Sequence, residues 1–156
     1  MSRTVSGKEV FTTLDERVDP AHTCLLVVDV QNDFCSAGGA ADRHKREISG
    51  LQAIIPSLSR LINRARAAGV PIINVKMTTF EDGRTYSDVD LARRIHVWNG
   101  DMLVTRYGTW GHDNPADMPF AETDVVIQKH RNNAFTGTEL QQVLGKRSSN
   151  PPIQRP

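Results

Sequence analysis

The run Cys24-Leu25-Leu26-Val27-Val28-Asp29-Val30-Gln31-Asn32-Asp33-Phe34-Cys35 sets the first element of the fold. Leu25 to Val28 are consecutive apolar residues, half of them β-branched, and read as a short strand buried on both faces. The run gives out at Asp29. A carboxylate is costly in a dry interior unless something pairs with it, and in open parallel sheets the ligand crevice lies outside the carboxyl ends of the strands. Asp29 is therefore a candidate catalytic group. The competing reading is an aspartate that caps the turn that follows.

Val125-Val126-Ile127-Gln128-Lys129 is a second short apolar run, and it ends in a charge of opposite sign. If both strands lie parallel in one sheet, Asp29 and Lys129 emerge at the same edge. A lysine there would hold the aspartate ionised and stabilise developing negative charge. The competing reading is a lysine that leaves a strand end for solvent.

The chain that follows the first of these strands supports a parallel sheet. Pro56 suits the first turn of a helix, and Leu58, Leu61, Ile62, Ala65 and Ala68 recur at helical spacing. Arg60, Arg64 and Arg66 lie mainly off that stripe, and Gly69 stops the helix. Val70-Pro71 then leads into a second strand, Ile72 to Met77. Residues 25 to 77 thus form a strand–helix–strand unit, a crossover that is almost always right-handed and makes its two strands parallel.

The remainder is less regular. Residues 1–22 read as a polar lead-in, with Asp19-Pro20 as a turn signal. Cys35 to Ala40 reads as a glycine-containing connection, without the spacing of a phosphate-binding loop. Asp42 to Glu47 reads as a solvated turn or a helix start. Asp88 to Trp98 reads as a short helix with Leu91 and Ile95 inward. Tyr107 to Asp113 is an aromatic and glycine-rich loop in which Trp110 either lines a pocket or covers the core. Thr138 with Gln141 is a capping-box pattern for a helix that starts near Glu139 and ends at Gly145. Residues 145–156, basic and proline-rich, read as a disordered tail.

Composition narrows the function. A formal net charge of +1 over 156 residues implies no strong field for nucleic acid. Two cysteines make no disulfide framework. No run approaches membrane-spanning length, and Met1 to Val10 lacks the apolar core of a secretory signal, so a cytoplasmic protein is expected. The five histidines form no helical H-x-x-x-H pair, and no metal or other cofactor is expected.

Leu25 to Phe34 resembles the first-strand motif of the isochorismatase-like cysteine hydrolases. Val125 to Leu140, with Lys129, Phe135, Gly137 and Thr138, resembles that family's lysine strand and the turn into its next helix. Asp19-Pro20, Asn32 to Cys35 and Gly108-Thr109-Trp110-Gly111 resemble most the ureidoacrylate and biuret amidohydrolase branch. The similarity covers about residues 13–144, with the domain over 23–144.

The resemblance implies a three-layer α/β/α, Rossmann-like parallel sheet. It implies an aspartate–lysine–cysteine triad in which Asp29 takes the thiol proton and Lys129 biases the charges. It also implies a substrate pocket lined by Phe34, a small ureido or carbamoyl amide as substrate, and a homo-oligomer. The metal-dependent nicotinamidase branch places aspartate and histidine ligands after the second strand; this chain has Thr78-Thr79-Phe80-Glu81-Asp82-Gly83 there.

The chain departs from the family pattern at about Gly145. The family's nucleophile sits on a later strand-to-helix turn, so the fold is expected to be incomplete at its carboxy-terminal side and inactive alone. Cys24 precedes the first strand and Cys35 lies in its exit loop; both read as packing residues. In the family's strand order, the first strand then becomes a sheet edge. Two further functions stay open: a non-catalytic binding or decoy subunit of a full-length homologue, and an isochorismatase-type vinyl-ether hydrolase.

Overall fold

The computed structural model of the chain describes residues 3–145. Its centre is a three-stranded sheet of β3 (Leu25–Val28), β4 (Ile72–Met77) and β5 (Val125–Lys129), in the order β3-β4-β5. All strands run parallel, with Leu25 opposite Ile72 and Ile73 opposite Val125. β3 is an outer strand, as the family's strand order implies.

Helix α4 (Ser49–Ala67) makes the crossover. It starts seven residues before Pro56, which therefore lies inside the helix and not in its first turn. Proline removes one intrahelical donor, and here the deficit falls at the carbonyl one turn back, on the exposed Gln52 where water can serve it. Neighbouring residues of a strand point to opposite faces, and the core divides accordingly. Val27 and Ile72 pack with Ile55 and Ile62 of α4 on one face. Ile73, Val75 and Ile127 pack with Leu140 of α6 (Leu140–Gly145) on the other. A helix on each face of a parallel sheet gives the expected α/β/α layering. Val28 departs from the expected double burial: it is 47% exposed.

The lead-in is more structured than its polarity suggests. β1 (Arg3–Val5) and β2 (Lys8–Val10) form an antiparallel hairpin over Ser6 and Gly7, both with positive φ as a tight two-residue turn requires. Helix α1 (Leu14–Arg17) follows, capped by Thr13 and Glu16. After β3 come two short helices, α2 (Asn32–Cys35) and α3 (Ala40–Arg43), where a connection was expected. Helix α5 (Asp88–Trp98) occupies its expected span, but its expected orientation is reversed. Leu91 is exposed, Ile95 is 63% exposed, and the buried residue is Arg94. At α6, Thr138 Oγ1 accepts a hydrogen bond from Leu140 N at 3.2 Å. The expected disordered tail lies outside the described residues, apart from Gly145 at the end of α6. Among the described residues, no helix is long and apolar enough to cross a membrane.

Candidate active site

Asp29 directly follows β3 and Lys129 is the last residue of β5, so both stand at the carboxyl edge of the sheet. β4 lies between them. Strands two apart in a sheet are separated by about 9–10 Å, a gap that a long side chain closes. Lys129 Nζ reaches Asp29 Oδ2 at 2.9 Å and also donates to Asn132 O at 3.3 Å. The lysine side chain is only 4% exposed and the aspartate side chain 33%. The pair therefore has one dry end and one end open to a ligand.

Asp29 adopts φ +58°, in the left-handed region. Asp and Asn enter this region more readily than most residues, though still rarely. The kink ends β3 while Asp29 N still donates to Val75 O at 2.8 Å. Its second carboxylate oxygen, Oδ1, is buried and has no hydrogen-bond partner among the described residues. A buried carboxylate oxygen without a donor is an acceptor held ready for a proton.

The residues after Asp29 hold the turn in place. Gln31 Nε2 donates to the carbonyls of Met77 and His112, both at 2.9 Å, while its Oε1 accepts from Met77 N at 2.8 Å. Asn32 Nδ2 donates to Trp110 O at 2.9 Å. Asp33 accepts from Ala40 N at 2.9 Å and from Thr105 N at 2.6 Å. Gly111 packs so closely on Asp33 that a Cβ there would sit 2.3 Å from Oδ2. The aromatic and glycine-rich loop thus braces the first-strand motif.

The Asp29–Lys129 pair opens into a cavity of about 670 Å³. Phe34 lines it, as the family resemblance implies, and lies 6.1 Å from the ring of Trp98, another lining residue. Trp110 is not among the lining residues; it is more than half exposed and contributes its carbonyl to Asn32. The cysteines are also elsewhere. Cys35 is buried in the α4-side core, where burial pushes its thiol up, and Cys24 packs beside the other core cluster.

Sequence reasoning missed much of the cavity wall. Arg46, Tyr86, Arg93, Arg94 and Arg131 all line it. Arg131 was findable, because it lies two residues beyond Lys129 at the same strand end. Arg46 belongs to a charged run that resembles any solvated turn. Arg93 and Arg94 lie on α5, where an apolar inner face was expected. Arg94 Nη1 donates to Asp101 O at 2.6 Å, and its other amino group donates to the Tyr86 hydroxyl. Arg131 Nε faces Asp90 Oδ2 at 3.4 Å, and the Ser87 hydroxyl holds that carboxyl below its ordinary range.

Residues 23–150 match the isochorismatase domain. The chain is 46% identical over 146 residues to the ureidoacrylate amidohydrolase RutB of Methylobacterium radiotolerans, covering 83% of this chain and 54% of that protein. It is 32% identical to a probable inactive nicotinamidase of Arabidopsis thaliana, covering 79% and 59%. Among solved structures it resembles a cysteine hydrolase from Pseudomonas syringae pv. phaseolicola, with a TM-score of 0.68 and 25% identity over 82% of this chain and 55% of that one. An isochorismatase family protein from Desulfovibrio vulgaris gives a TM-score of 0.65 and 27% identity over 81% and 62%. The chain spans about half the length of the curated relatives it matches, 54% to 60% for those first in similarity. By its matched domain and this identity, the chain belongs to the isochorismatase family.

Proposed function

We propose that this chain carries the acid–base half of a cysteine amidohydrolase site that acts on a small ureido or carbamoyl amide. The 2.9 Å contact of Lys129 with Asp29 at the mouth of the cavity carries this reading. Asp29 Oδ1 would accept the proton of an attacking thiol, and the resulting thiolate would add to the amide carbonyl. Lys129, in contact with that carboxylate, would offset negative charge as it develops. Collapse of the adduct would release ammonia or an amine, and water would free the acyl group.

Neither thiol of this chain lines that cavity, and the thiolate is the nucleophilic form. Burial works against Cys35 in that role. The 156-residue chain alone is therefore expected to release no ammonia from ureidoacrylate or biuret above the level of its Cys35→Ser variant. Turnover abolished by Cys35→Ser would make Cys35 the nucleophile and overturn this assignment. The role of Asp29 is tested in the full-length Methylobacterium relative. The change equivalent to Asp29→Asn is expected to lower kcat by at least about 10³-fold with the fold retained, since triad members act as a unit. Undiminished turnover would remove Asp29 from the chemistry.

A further inference from the structure

The cavity beside Asp29 and Lys129 is rich in hydrogen-bond donors and poor in open acceptors. Lysine and arginine side chains only donate, and five of them line the space. Most of the side-chain acceptors are already taken. Asp29 Oδ2 meets Lys129 at 2.9 Å. Asp90 accepts from the Ser87 hydroxyl at 2.7 Å and faces Arg131, and the Tyr86 hydroxyl accepts from Arg94. Glu47 accepts from Ser49 N at 2.7 Å and so turns to its own backbone. An amide or ureido group brings N–H donors as well as a carbonyl, and a donor taken out of water without an acceptor is costly.

His130 has an acceptor to offer. It follows Lys129 directly at the end of β5 and lines the same cavity. Its Nδ1 lies 2.8 Å from Thr78 O. A carbonyl oxygen only accepts, so Nδ1 carries the hydrogen, and in the neutral ring Nε2 then holds a bare lone pair. The ring is fastened from two sides. Thr78 N donates to Lys129 O at 2.8 Å, which ties the ends of β4 and β5 together, and Phe80 packs on the imidazole with centroids 5.6 Å apart. Nε2 has no hydrogen-bond partner among the described residues and is not buried. Asp29 Oδ1 also lacks a partner there, but the thiol proton claims it. Asn132 is exposed, so water serves its amide as well as a ligand would.

Resting on the amidohydrolase reading, we infer that His130 is a specificity-determining residue of this site: its Nε2 faces the cavity and accepts a hydrogen bond from an N–H of the bound ligand. Lys129, one residue earlier, supplies positive charge beside the same group. A ligand with the same carbonyl and no N–H leaves Nε2 unmatched, and a site built around such a bond discriminates against the analogue that lacks it. The Nδ1 contact with Thr78 is all that a purely structural role for His130 requires; Nε2 is the part that such a role leaves idle.

The test is nuclear magnetic resonance of the 156-residue chain with isotope-labelled histidine, at a pH where the imidazoles are neutral. The ring nitrogens report tautomer and hydrogen bonding, and His130 is assigned through its contact with Phe80. Its hydrogen is expected on Nδ1, and its Nε2 is expected to shift on addition of biuret but not of tetramethylurea, which keeps the carbonyl and has no N–H. His130→Asn keeps a donor for Thr78 O near the Nδ1 position and deletes Nε2. It is expected to retain the parent Tm and to bind biuret about tenfold more weakly, the loss of one hydrogen bond, as followed by the backbone amides around Lys129. If His130→Asn fails to fold, the tautomer and the Nε2 shift of the unsubstituted chain decide the question. A hydrogen on Nε2, an Nε2 that biuret leaves unmoved or that tetramethylurea moves equally, or unchanged biuret affinity in folded His130→Asn would overturn the role of His130. Biuret shifts around Lys129 in any of those cases would leave the amidohydrolase reading standing. Biuret shifts nowhere in the cavity would overturn both.

Discussion

Asp29 combines a left-handed backbone, a buried oxygen without a hydrogen-bond partner among the described residues, and an ion pair with an almost fully buried lysine. The two partners are unequally dependent on each other. Asp29→Asn keeps a side chain that accepts the left-handed conformation but strands the Lys129 ammonium in a dry place. Removing one partner of a buried pair costs about 3–5 kcal/mol. Lys129→Met removes the buried charge itself and leaves a carboxylate that is 33% exposed and can draw on water. Urea denaturation is expected to show Asp29→Asn as clearly the more destabilising change; equal losses would refute this asymmetry. A second residue sets the pH response. His112 is 4% exposed, its Nε2 lies 2.9 Å from Thr78 Oγ1, and burial, reinforced by Lys76, lowers its pKa from 6.5 to about 4. The unfolded chain therefore binds a proton between those values that the folded chain refuses. Stability from this group is complete above about 6.5 and declines as pH falls toward about 4, by up to about 1.4 kcal/mol per pH unit. Thermal melts across this range are expected to show that decline, and His112→Gln to reduce it.

Helix α5 shows where the pattern of a sequence informs and where it misleads. Ser87 and Asp90 form a capping box, and Asn99 in the left-handed conformation ends the helix, so its span was legible from local chemistry. Its orientation was not. The amphipathic rule assumes that a helix covers an apolar core. This one covers a charged crevice, so it turns Asp90, Arg93 and Arg94 toward the cavity and leaves Val89 and Ile95 exposed. The same physics hid Arg46 within a charged run. Asp29 and Lys129 were legible for the opposite reason: each interrupts an apolar strand at its carboxyl end, where a charge needs an explanation. The pairing also needed β5 to run parallel to β3; α4, despite the start that Pro56 misplaced, fixes only β3 and β4 as parallel, and the direction of β5 was a condition that the sequence left open. Gln31, Asn32 and Asp33 gave no such signal, because their partners Met77, Trp110 and Thr105 are far away in the chain.

At the scale of the whole molecule, the weak point is the outer face of β3. Leu25 to Val28 has the composition of a central strand, yet among the described residues it has a neighbour on one side only, and Val28 is 47% exposed. Natural edge strands carry charges, prolines or bulges that block further pairing, and none occurs before Asp29. Among the described residues the sheet has three strands and a helix on each face, so little core there offsets an open edge. Burial of one large aliphatic side chain is worth about 1.5–3 kcal/mol, against a net stability of about 5–15 kcal/mol for a whole domain. A partner strand that covered Val28 and the free edge would thus gain a sizeable fraction of the margin. The isolated 156-residue chain is expected to self-associate through β3, as dimers or larger species that grow with concentration. Val28→Lys puts a charge on that strand, as natural edges do, and is expected to shift sedimentation toward the monomer without weakening the sheet. A sharp cooperative melt from a species that sediments as a monomer at all concentrations, unaffected by Val28→Lys, would show that the β3 edge is already covered.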